Sequence, residues 1–120
     1  MDFDKLQKDV AKLEDAAKKF ADAKKADAQA MKAFMAGARD ILTAFLKDRK
    51  EQIRPGHIFQ NAAAKSIIPT DIAARGDALL VRWGGNVTPT DARQIEDDAG
   101  KLAAVAVKLL PVLKSYKKEE

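Results

Sequence analysis

His57 is the only histidine in the 120-residue chain, and cysteine is absent. The side chains best suited to acid-base or nucleophilic chemistry are therefore scarce. His57 follows Pro55-Gly56 at the entrance to a helical segment, where an imidazole more readily bonds backbone groups than transfers protons. Ser66 and Ser115 lack the glycine-flanked turn that presents a nucleophilic serine, so a Ser-His-Asp set has nothing distinctive to rest on. Glu96-Asp97-Asp98 supplies three carboxylates, but consecutive residues fan around a helix instead of converging. Their position at the start of the last helix is explained by the positive end of its dipole. No phosphate loop, dinucleotide fingerprint, zinc spacing or calcium loop occurs. The expectation is a protein that is not an enzyme, with no catalytic residue, metal or cofactor.

Cations are the next candidates. Lys18, Lys25, Lys32 and Arg39 recur every seven residues and draw a basic line along one side of a helix, suited in principle to following phosphates. Glu14 and Asp15 stand four residues before Lys18 and Lys19, the favourable orientation for pairs within a helix, so a solvated face is the simpler explanation. Lys47, Arg49, Lys50 and Arg54 form a second cluster, with His57 close by. A helix C-terminus already favours cations there. Neither cluster interleaves aromatics for base stacking, and only Gln52 and His57 are placed to read base edges. A nucleic-acid-binding accessory role through residues 47–54 is thus the alternative, not the primary expectation. The net charge is +4 and the pI about 9.3. The charge is uneven: residues 1–54 and 101–120 are basic and residues 55–100 mildly acidic.

Several short motifs are explained without function. Arg75-Gly76-Asp77 spells an integrin-type tripeptide and Asn86-Val87-Thr88 a glycosylation sequon, both short enough to arise by chance. Trp83-Gly84-Gly85 in a turn between helices, with Tyr116 and Glu120 toward the C-terminus, resembles the small secreted WxG helical-hairpin family. That resemblance covers five residues, and the long N-terminal segment departs from the family's short-hairpin plan. Met31, Phe34, Phe45 and Trp83 are the side chains that would line a pocket, which makes a small-molecule-binding bundle a second alternative.

The elements that must position these residues follow from periodicity. Phe3, Leu6, Val10, Leu13, Ala17 and Phe20 step by threes and fours, a heptad seam. The same register continues through Lys24 and Asp27 to Met31, Phe34, Ala38, Ile41 and Phe45. Because the phase survives and the break contains no Gly, Pro, Asn or Ser, the sequence predicts one helix over residues 3–53, bent near 24–27 and ended by Arg54-Pro55-Gly56. An antiparallel hairpin turning at Lys24–Asp27 is the competing reading. Residues 57–83 are expected as short helical segments, with 78–83 open to either helix or strand and helix favoured for want of a second strand. Residues 84–87 form a turn. A C-terminal helix is expected over 88–117, with Thr88 as N-cap, Pro89 at N1, Asp91 returning a bond, and a kink at Pro111.

These elements make a single all-α domain, a helical bundle with a coiled-coil-like seam. A helix over 89–117 would be about 43 Å long, too short to cover a rod of about 75 Å. The uncovered seam residues Phe3, Leu6, Val10, Leu13, Phe20, Met31, Phe34, Ile41 and Phe45 are therefore expected to bind another protein or a second copy, as a homodimer or larger assembly. The absence of a signal-peptide run and of any apolar stretch of membrane-spanning length suggests a cytoplasmic protein with no membrane partner.

Overall fold

Aspartates open the first two helices. In a computed structural model, which describes residues 2–20, 27–54 and 56–116, the Asp2 carboxylate accepts the Lys5 backbone N–H at 3.1 Å at the head of α1 (Phe3–Phe20). Asp27, in extended backbone, accepts the Ala30 N–H at 3.1 Å and starts α2 (Ala28–Asp48). Each bond satisfies one of the orphan donors of a helix N-terminus. The single helix over 3–53 is therefore not what forms. Two helices lie antiparallel, with Phe20 edge-on to Phe34 at 5.4 Å between ring centres. A Cβ on Gly37 would meet Leu13 Cδ2 at 2.7 Å, so the helices approach closely where glycine permits it. The longest dimension of the molecule is 45 Å, which leaves no room for a 75 Å rod. The phase persists because both helices turn their stripes into one shared core. Of the two residues that break the stripe, Lys24 lies outside the described residues, and Asp27 is the cap.

α2 ends at Asp48, five residues short of the expected end at residue 53. Lys50 takes a left-handed φ of 57°, its N–H donates to the Lys47 carbonyl, and the Glu51 N–H donates to Leu46. That pair of bonds is a Schellman stop, built here without glycine. The same device ends α3 (Ile58–Ala64), where Ser66 has a φ of 60° and Ile67 N–H returns to Ala62. A 3₁₀ turn at Thr70–Ile72 leads into α4 (Ala73–Trp83), so residues 78–83 are helical. Among the described residues there is no strand.

The last helix, α5, spans Ala92–Ser115 and continues through Pro111. Its N-cap is Asp91, whose carboxylate accepts the Arg93 and Gln94 N–H groups at 2.9 and 3.2 Å. Thr88, expected in that role, instead lies four residues upstream of the helix, with its hydroxyl 3.4 Å from Lys32 Nζ. The core runs between α1, α2 and α5 and on between α2, α3 and α4. Met31, Phe34, Met35, Leu42, Phe59, Trp83 and Leu102 are fully enclosed. At ~25 cal/mol per Å² this burial supplies the main drive to fold.

Candidate functional site

The predicted seam is occupied from within. Leu6, Val10, Leu13, Phe20, Met31, Phe34, Ile41 and Phe45 are all buried, none more than 5% exposed, and Phe3 is partly buried against the same cluster. The antiparallel hairpin lets each helix cover the other, and α5 covers the remaining flank. The supposed shortage of cover came from the length of a rod that does not form. As a surface for a partner, the seam is corrected: it is the core. Met31, Phe34, Phe45 and Trp83 likewise pack solidly and line none of the concavities along α1, α2, α3 and α5. Phe45 carries the Tyr116 ring at 4.6 Å, and the Tyr116 hydroxyl donates to the Ile67 carbonyl at 2.9 Å, tying the end of α5 across α2 to the loop after α3.

Of the basic line, Lys18 stands exposed on α1, and the two members on α2 are structural. Lys32 Nζ donates to the Asn86 carbonyl at 3.2 Å, and Arg39 Nη1 donates to the Gly84 carbonyl at 3.0 Å. These two cations hold the 84–88 connection against α2, while Lys25 lies outside the described residues. Lys47, Arg49, Lys50 and Arg54 are all exposed around the Schellman stop. Arg49 donates to the Lys65 carbonyl at 3.1 Å, and Lys65 pairs with Glu51 at 3.4 Å. Glu14 is paired with Lys114 of α5 instead of a lysine on its own helix.

Two buried carboxylates escaped the sequence reading. Asp98 is fully enclosed and accepts four hydrogen bonds: from Arg82 Nε and Nη2 at 2.9 and 2.8 Å, Trp83 Nε1 at 2.8 Å and Gln94 Nε2 at 3.1 Å. Burial pushes its carboxyl upward, but the Arg82 guanidinium, the indole N–H and the amide together outweigh that and hold it below 3.8. The helix dipole therefore does not account for Asp98. It falls three residues after Ile95 and four before Leu102, on the inward stripe, and that position was the available signal. Asp77, 5% exposed, accepts the Phe59 and Gln60 N–H groups at 2.8 and 3.1 Å. It caps α3 from another helix, the place where His57 makes no side-chain cap. Burial raises the Asp77 carboxyl, opposed by the two N–H groups and by His57. Gly76 and Asp77 are both buried, so the Arg75-Gly76-Asp77 tripeptide is not displayed. Asp98 is saturated by its partners, each oxygen of Asp77 has one, and both carboxylates act as structural anchors. Among the described residues, no three His, Asp or Glu side chains converge as a metal site. Compared with known proteins, the chain matches no family model, no curated protein and no solved structure.

One open surface is the flank of α1 opposite α5. There the crease between α1 and α2 holds two concavities. One, of about 510 Å³, has Leu6, Ile41 and Ala44 in its floor and Asp2, Lys5, Asp9 and Asp40 on its rims. The other, of about 300 Å³, has Ala16, Ala30 and Ala33 in its floor and Lys12, Asp15 and Lys19 on one rim. Lys5, Asp9, Lys12, Asp15 and Lys19 make no side-chain ion pair within the described residues. The arrangement is a groove with an apolar floor; Asp40 on its α2 rim is paired with Arg39 at 3.4 Å, whereas the α1 rim carries charges without an ion pair among the described residues.

Proposed function

We propose that the chain is a non-enzymatic, helical protein–protein interaction module that binds through the outer α1–α2 groove. The reading keeps the function expected from the heptad pattern and moves it from the seam to the surface beside it. The observation that carries it is the row of unpaired charges on the α1 rim of an apolar crease. Elsewhere the long-range polar contacts stitch the chain to itself: Lys32 and Arg39 to the 84–88 connection, Arg82 to Asp98, Lys114 to Glu14, Lys108 to Asp71. The α1 rim of the crease combines unpaired charge with an apolar floor, a combination that complementary charge on a partner would satisfy.

A nucleic-acid role through Lys47, Arg49, Lys50 and Arg54 draws less support, because Arg49 already serves the Lys65 carbonyl and the neighbouring carboxylates dilute the field. Ala44→Arg tests the groove directly. Ala44 is exposed on the floor, so the variant should melt with the parent while losing the complex that the parent forms in native extract. An undiminished complex would move the binding surface elsewhere.

A further inference from the structure

Resting on the groove reading above, we infer that its occupant is a second copy of this chain, whose α1 lies antiparallel to α1 across a twofold axis between Asp9 and Lys12. The argument is in the order of charge along the rim. Reading α1 from its start, the side chains bordering the two concavities are Asp2, Lys5, Asp9, Lys12, Asp15 and Lys19. The signs alternate strictly, and the row has an even number of members. Such a row is its own complement when reversed. In the antiparallel arrangement Asp2 faces Lys19, Lys5 faces Asp15 and Asp9 faces Lys12, and the twofold axis repeats each pair. A parallel arrangement in register would set every charge against its like.

The row runs about 26 Å at 1.5 Å per residue, nearly the full length of α1. Its period matches the helix: residues 2, 5, 9, 12 and 19 each precede a seam position by one, so the row borders the α2 side of the stripe throughout. Asp15 is displaced by one position, because Ala16 stands at the buried edge itself. Intrahelical pairing does not account for the row, since none of Lys5, Asp9, Lys12, Asp15 and Lys19 is paired within the described residues. Exposed pairs are individually weak and screened by salt, so the dimer should be a modest one that loosens as ionic strength rises. A basic partner helix of another protein fits less well, because the α1 rim carries as many cations as anions.

Sedimentation velocity of the full chain at tens of micromolar and low salt tests this. The parent should show a dimer. Asp9→Lys and Lys12→Asp should each weaken it by about tenfold or more, because each places like charges opposite one another twice across the axis. The double variant Asp9→Lys/Lys12→Asp should restore it, since each reversed residue again faces its opposite. Asp2→Lys with Lys19→Asp gives an independent pair should either central variant lose helicity. A parent that is monomeric at every concentration overturns the inference, and so do single reversals that dimerise like the parent. The wider groove reading fails separately, if Ala44→Arg leaves the complex in native extract unchanged.

Discussion

Arg82 grips Asp98 side-on, Nε and Nη2 each reaching one carboxylate oxygen at 2.9 and 2.8 Å, so that the end of α4 is locked to the second turn of α5. The guanidinium is partly exposed and the carboxylate fully enclosed. Removing the acid strands the buried Trp83 indole N–H, whereas removing the arginine leaves Asp98 two remaining donors.

Asp98→Ala should therefore destabilise the fold by roughly 3–5 kcal/mol, and Arg82→Ala by less, since one partner already faces water. Urea denaturation of both variants against the parent checks the order. An Arg82→Ala loss exceeding that of Asp98→Ala would mean the arginine contributes chiefly through packing.

The same carboxylate sets part of the pH dependence. Its folded pKa lies below 3.8, so its stabilisation is present above that value and is lost as pH falls through the folded one. Asp77 acts with the opposite sign: its folded pKa is raised, so its contribution diminishes as pH rises from 3.8 through the folded value. Asp98→Asn should flatten the acid limb of the stability profile, and Asp77→Asn should not. Denaturation midpoints between about pH 2 and 6 test this.

Helix caps account for much of what was and was not legible. Helical character and the inward stripe follow from spacing alone, because burying apolar residues every three or four positions requires it. The reversal between α1 and α2 was open to the sequence only as the competing hairpin at 24–27, since Asp27 does with a side chain what glycine or proline usually signals. The stop at Lys50 was hidden for a related reason, a left-handed residue that carries a side chain. Thr88-Pro89 imitated a helix start that Asp91 takes over. Asp91→Ala should lower stability by about 1 kcal/mol, while Thr88→Ala should stay within about 0.5 kcal/mol. Equal losses would place the helix start at Thr88 after all.

The two left-handed residues give a stabilising test. An L side chain in that region costs roughly 1–2 kcal/mol, part of which glycine recovers. Lys50→Gly should raise stability by about 0.5–1 kcal/mol while deleting one member of the basic cluster. A loss of stability would mean that the lysine side chain holds the stop in place.

Gly76 and Gly37 look alike in sequence, each a glycine inside a helix, and should answer differently. A Cβ at Gly76 would meet the enclosed Phe59 ring at 2.3 Å, with no room for it to retreat, whereas at Gly37 it meets the end of the Leu13 side chain at 2.7 Å. Gly76→Ala should destabilise by about 2 kcal/mol through overpacking. Gly37→Ala should be near neutral, its gain of up to ~1 kcal/mol in helix propensity offsetting the repacking of Leu13. Thermal melts of both decide it.

The central claim, that the heptad stripe is internal and the crease beside it is the binding surface, is tested most directly by contact chemistry. A photo-crosslinking amino acid replaces Ala44 on the groove floor or, as a control, the exposed Ala104 of α5, and the protein is irradiated in its native extract. A covalent adduct from position 44 with little or none from position 104 is the predicted result. No adduct at 44, or adducts equal at both positions, would contradict it.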